Sequence, residues 1–162
     1  MTTYWHMQMH PDDKSFADTH IYSILESKKI IGLGEWNEGE SIISAFKNDL
    51  KVNDIVAIKN GAKLIALVQV IGGAYAVHDD SSEIGWIEHR RPIRVLDWEI
   101  WGKTLPQPRG TLVKCVNEVE TTKIIREWHT RISTVLTKRG LLLQSDINVA
   151  TDTGNRNFKK QP

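Results

Sequence analysis

One cysteine, Cys115, is present in 162 residues. A lone thiol excludes a disulfide framework and a cysteine-built metal site, and it fits a reducing compartment. An excess of either charge is also missing: 21 Lys and Arg stand against 20 Asp and Glu, a net charge of +1. A binding face for a polyanion must therefore be a local basic patch, not a global field. No apolar run approaches the length that spans a membrane. Met1-Thr2-Thr3-Tyr4-Trp5-His6 lacks the basic-then-apolar pattern of a secretory signal, so a cytoplasmic protein is expected. HExxH, GxSxG and the phosphate-binding P-loop are all absent. Gly32-Leu33-Gly34 lacks the third glycine of a dinucleotide fingerprint. The expectation is a chain with no catalytic residues, no metal and no cofactor.

Apolar residues make up 40% of the chain and charged ones 25%, as in ordinary soluble domains. Residues 1–150 fit one domain with a sizeable core. Residues 151–162 are polar without periodicity and read as a tail or a linker to a longer protein.

Hydrophobic periodicity predicts strands over 4–9, 29–33, 54–59, 64–71, 91–98 and 111–116, and helices over 15–27, 40–50 and 118–139. Ser15 and Asp18 resemble a capping pair, and Asn60-Gly61 is a hairpin signal. The run 64–70 is nearly continuous in apolar residues, as in a strand covered on both faces. Gly72 and Gly73 suggest a bulge or sharp bend. The order β-α-β-α-β-β-β-β-α predicts an α+β fold, with a curved, mostly antiparallel sheet or small barrel and peripheral helices.

What the chain has in quantity is tryptophan, six residues. Trp128 lies on the apolar stripe of the last helix and reads as core. Trp98 ends a strand and reads as core or core edge, while Trp101 borders a loop and fits either setting. Strand alternation puts Trp5 with Met7 and Met9 on the better candidate for a buried face, although Trp5 could still floor a pocket. Trp36 and Trp86 sit among glycines and charges, with no apolar pattern around them. A large ring on a loop is covered by core, by a partner or by a flat ligand.

The remaining candidates are polar. His6, His10, Asp12 and Asp13 are possible metal ligands. On a strand, however, His6 and His10 stand about 13 Å apart, and Pro11 breaks a helical alternative. Cys115 in an apolar strand reads as an inert buried thiol. Asp79 and Asp80 read as a solvated loop or as acid–base groups. Arg90, Arg91 and Arg94 follow the Trp86 loop, and Lys103, Arg109 and Lys114 come later. Rings interleaved with arginine suit base stacking with phosphate contacts; the alternative is a charged edge that protects a strand.

In this order the motifs resemble the EVE-like domains of the PUA superfamily, relatives of the YTH readers of N6-methyladenine. They are similar in particular to the amino-terminal specificity domains of McrB-type modification-dependent restriction systems. Tyr4-Trp5-His6-Met7-Gln8-Met9-His10-Pro11 resembles the opening strand, with Gln8 where the family usually has lysine. Ile30-Ile31-Gly32-Leu33-Gly34-Glu35-Trp36 is similar to the second strand and the pocket aromatic after it. Leu50-Lys51-Val52-Asn53-Asp54-Ile55-Val56 resembles the lead-in to the third strand, with Asn53 in place of glycine. Ile84-Gly85-Trp86 and the run from Arg91 to Trp98 resemble the pocket loop and the strand behind it.

The resemblance spans roughly residues 4–116 and implies a pocket for a flipped-out modified base. Trp36 and Trp86 would be its walls and Trp5 a third member. Asn37, His10, Asp12 and Asp80 would be candidate readers of the base edge. Arg90, Arg91 and Lys103 would hold phosphates, and no membrane contact is implied. The expected function is a non-catalytic reader of modified, most readily methylated, DNA in a restriction or antiviral defence system. NTP hydrolysis and cleavage would belong to a fused or separate NTPase or nuclease subunit. An RNA-binding PUA-like domain in RNA modification and a small PUA-like ribonuclease using Lys, Tyr or His are the alternatives.

Overall fold

A computed structural model describes residues 2–9 and 20–140. The expected capping pair Ser15–Asp18, the candidates His10, Asp12 and Asp13, and the tail 151–162 lie outside the described residues. Among the described residues, seven strands form one sheet: β1 Tyr4–Gln8, β2 Ile30–Leu33, β3 Ile55–Asn60, β4 Lys63–Val70, β5 Tyr75–Ala76, β6 His89–Trp98 and β7 Leu112–Lys114. Their order is β2-β6-β4-β3-β1-β7, with β5 also on β6. β1 and β3 run parallel and the other pairs antiparallel. This is the α+β architecture expected from the sequence, a curled mixed sheet with helices around it.

β6 produces the curl. Its first residues pair with β2 and β5, and from Ile93 onward it pairs with β4. A bulge between Leu67 and Val68 turns the ladder further, since an extra residue increases local twist. A second bulge lies between Ile58 and Lys59, and Asn60 pairs with Lys63. The hairpin turn is therefore Gly61-Ala62, one residue later than the Asn60-Gly61 signal suggests. β5 has two residues, both exposed, and carries too little pattern to be legible as a strand.

Alternation along the strands builds a core on each face of the sheet. Trp5, Met7, Val56, Ile58, Val68 and Val70 face one core. That core is closed by α1 (residues 20–23, continued by the π-helical turn Ile24–Lys28) and α2 (Glu40–Ser44, continued by the π-helical turn Ala45–Asp49). Ile55, Ala57, Leu64 and Leu67 face the other core, with Ile125 and Trp128 of α3 (Glu120–Lys138). β4 is covered on both sides, as its continuous apolar run implies. Lys29 is a left-handed residue with φ 56° that caps α1, so β2 begins one residue later than expected.

Candidate nucleic-acid interface

Antiparallel pairing of β2 with β6 sets Leu33 opposite His89. The chain leaves β2 at the same end of the sheet at which it joins β6. Trp36 stands three residues beyond Leu33, and Trp86 three residues before His89. Two tryptophans fifty positions apart are thus brought to one end of the sheet by the pairing of β2 with β6. Both are half-buried, and both line one cleft of about 690 Å³, well within the size range of ligand sites.

Two glycines permit close approaches, one to the Trp86 backbone and one to the Trp36 ring. A Cβ on Gly34 would lie 2.8 Å from the carbonyl oxygen of Trp86, and one on Gly39 would lie 2.2 Å from the indole of Trp36. Gly39 closes the single 3₁₀ turn Asn37–Gly39 before α2, and its amide donates to the Trp36 carbonyl at 3.1 Å. The Trp36 indole therefore lies directly over backbone.

The Trp86 loop is held by Arg90. Its Nη2 donates to Asp80 Oδ2 at 2.7 Å and to the Ile84 carbonyl at 3.1 Å, and its Nε donates to the Ile87 carbonyl at 2.7 Å. Asp80 Oδ1 accepts from the Ser82 amide at 2.8 Å. Hydrogen bonds from Ser82 and Arg90 hold the Asp80 carboxyl well below the usual carboxylate range. These contacts correct two expectations. Arg90 is only 7% exposed and braces a loop, in place of the exposed phosphate contact expected. Asp80 is its partner, so the carboxylate expected at a base edge is engaged in bracing the loop.

Arg91 is corrected in the same way. It is 2% exposed and donates to the carbonyls of Leu50 (2.5 Å), Gly72 (3.2 Å) and Phe46 (3.3 Å). Lys103 is exposed on the loop after β6, where its carbonyl accepts from Leu64, and it does not line the cleft. Trp5 is also corrected. It is 2% exposed, and its indole N–H donates to Asp54 Oδ2 at 2.9 Å. Burial raises the Asp54 carboxyl pKa, against the hydrogen bonds it accepts. Trp5 is core and not a pocket member.

Asn37 is exposed and lines a neighbouring cleft of about 440 Å³ that shares Glu35 and Trp36 with the first. Trp128 is buried, as expected, and donates to Asp97 at 2.7 Å. Trp98 packs at the core edge against Tyr22 with ring centroids 5.6 Å apart. Trp101 is 84% exposed and belongs to neither core.

Sequence reasoning missed the rest of the cleft lining. Glu35, Glu38 and Glu88 line it, together with Gln8 and Thr111. Among the described residues that line it, none is Lys or Arg. Glu35 Oε1 lies 2.6 Å from His89 Nε2, which draws that carboxylate to the boundary between the two clefts. Gln8 is tied down as well: its Oε1 accepts from the Gly61 amide at 2.9 Å. The available signal was Gly32-Leu33-Gly34 itself, a strand end that lets another backbone approach closely.

The opposite face of the sheet carries a second polar set. Lys59 Nζ sits 2.8 Å from His6 Nδ1 and also donates to the Pro108 carbonyl. Both side chains are buried. Burial pushes His6 down to about 4 and Lys59 down to about 8. Cys115 is half-buried, and burial pushes its thiol up. Among the described residues no group of three His, Cys, Asp or Glu could hold a metal ion, and no helix is long and apolar enough to cross a membrane.

No family model matches this chain, and no curated protein matches it. Among solved structures it is similar to the YTH domain-containing protein mmi1 in its RNA complex. The identity is 10%, 85% of each chain is covered and the TM-score is 0.48. It is also similar to the YTH domain of the Zygosaccharomyces rouxii MRB1 protein in complex with N6-methyladenosine RNA. Here the identity is 9%, with 78% of this chain and 86% of that one covered, and the TM-score is 0.43. Both likenesses concern the fold alone.

Proposed function

We propose that the chain is a non-catalytic reader that takes one modified base of a nucleic acid into the Trp36–Trp86 cleft. The observation that carries this reading is the meeting of two half-exposed indoles in one cleft, placed there by strand register. Indoles offer flat polarizable surfaces, and base–aromatic stacking contributes about 1–3 kcal/mol per base. The carboxylates of Glu35, Glu38 and Glu88 repel a phosphate and accept hydrogen bonds from exocyclic amino groups. The cleft thus admits a base and turns the backbone away. One buried methyl adds about 0.8 kcal/mol, roughly a fourfold preference. A larger preference requires a hydrogen bond that the unmodified base makes badly.

We set single-stranded RNA ahead of the duplex DNA expected from the sequence. Extruding a base from a duplex costs a few kcal/mol, which contacts to the flanking phosphates must offset. Arg90 and Arg91, the arginines expected to make those contacts, are buried and bonded to the protein itself. A base in a single strand is already accessible. The test is a binding panel of strands that differ in one base: unmodified, N6-methyladenine or 5-methylcytosine, each as single-stranded RNA and as duplex DNA. Preference for a modified base in RNA is expected, and it is lost in Trp36→Ala and in Trp86→Ala. Variants that discriminate as the wild type does would refute the reading.

A further inference from the structure

Two further clefts follow the Trp36–Trp86 cleft beyond Trp36. The second cleft shares Glu35 and Trp36 with it, and a third, of about 470 Å³, shares Lys47 and Asn48 with the second. The three clefts adjoin through these shared residues, in a series that runs from Trp36 past α2 to Lys51. Ile43, Phe46 and Leu50 are buried, so the helix and its π turn present Lys47, Asn48 and then Lys51 outward, all exposed. Charge changes sign along the path. Glu35, Glu38 and Glu88 line the base end; Glu35 and Glu40 remain at the near side of the second cleft; Lys47 and Lys51 line the far end.

We propose that the series of clefts beyond Trp36 is a phosphodiester subsite, in which Lys47 and Lys51 hold the strand that flanks the base in the cleft. This rests on the base-reading proposal above. A base is joined to its phosphates through one sugar, so the strand must leave the cleft within a sugar's length. The carboxylates deny the phosphates the cleft itself, and the series of clefts past Trp36 leads to cations. Arg91 gives the subsite its shape. Through the carbonyls of Phe46 and Leu50 it ties to β6 both the π turn that carries Lys47 and the residue before Lys51. The arginine expected to touch phosphate is thus a positioning residue for the lysines that do.

The experiment measures binding of the full chain across a salt series. The probes are N6-methyladenosine and 5-methylcytidine as mononucleosides, and short single-stranded RNAs that carry one of these bases. The proteins are wild type, Lys47→Glu/Lys51→Glu and Lys103→Glu, all changed at exposed positions and checked for native circular dichroism. The RNA is expected to bind tighter than its mononucleoside, with a gain that shrinks as salt rises. The double variant should lose tenfold or more of RNA affinity, and its salt slope should fall by about 0.7 for each phosphate contact removed. Mononucleoside binding should stay unchanged, and Lys103→Glu should behave as wild type. If the double variant keeps the wild-type RNA affinity and slope while mononucleosides are still discriminated, the subsite is refuted and base reading stands. If no protein discriminates any modified base, base reading fails and the subsite falls with it. If poly-glutamate competes as well as RNA of equal charge, the series of clefts is a general polyanion surface and the proposal is overturned.

Discussion

The two faces of the sheet use the same residue types to opposite ends. On the α3 face, Trp128 is buried with its indole N–H on Asp97, and His6 and Lys59 are buried against each other. On the other face, Trp36 and Trp86 stand half-exposed at a cleft lined by carboxylates. Trp5 shows that the difference is not one of face alone. It points toward the cleft side of the sheet, yet it lies deep in that core with its N–H on Asp54. A tryptophan whose ring is enclosed and whose N–H meets an aspartate is part of the architecture. Trp36 and Trp86, at strand exits, pack on that core from its edge and keep part of each side chain exposed.

The largest effects test that division. Trp128→Ala and Trp5→Ala should each destabilise the fold by about 3–5 kcal/mol in urea denaturation, and any loss of binding should follow the unfolded fraction. Trp36→Ala and Trp86→Ala remove rings that pack on the core from its edge, so they should lower the urea midpoint less than Trp128→Ala does and weaken binding of the preferred strand by about 1–3 kcal/mol. A Trp36→Ala protein that unfolds as readily as Trp128→Ala would erase the distinction.

The buried pair on the α3 face predicts a pH effect of similar size. His6 falls from 6.5 to about 4 in the folded state. Between those values the unfolded chain takes up a proton that the folded chain refuses, so stability falls as pH drops from about 6.5 to 4, by roughly 3 kcal/mol. His6→Asn should flatten that slope in pH-dependent denaturation. Asp80 acts lower: its depressed carboxyl contributes stability above its unfolded value of 3.8 and loses it as the pH falls below.

Smaller effects probe the cleft's supports. Arg90→Gln loosens only the Trp86 side, so affinity for the modified strand should drop roughly tenfold, about 1.4 kcal/mol, with the Trp36 side intact. Lys103→Ala should change neither stability nor affinity. A clear loss of affinity there would move the phosphate path away from α2.

Strands and helices were legible because their periodicity is strong. The apolar run of β4 declared two covered faces, and the α3 stripe declared Trp128. Trp36 and Trp86 were legible as loop residues at strand ends, but not as rings that pack on the edge of the core. What hid the rest is tertiary. Arg90 and Arg91 look like surface cations in sequence, because nothing local shows that Ile84, Ile87, Phe46 and Leu50 carbonyls converge on them. Glu35, Glu38 and Glu88 look like ordinary solvated charge until β2 and β6 pair and bring them to one cleft. Trp5 was ambiguous because alternation names a face and not a depth.

The most direct measurement is the affinity of the wild-type chain for two single-stranded RNAs that differ only in one modified base, repeated with Trp36→Ala and Trp86→Ala. The account predicts a wild-type preference of at least about fourfold for the modified strand, abolished in both variants while their folds persist. Equal binding of the two strands by the wild type, or a preference that survives in both variants, would contradict it.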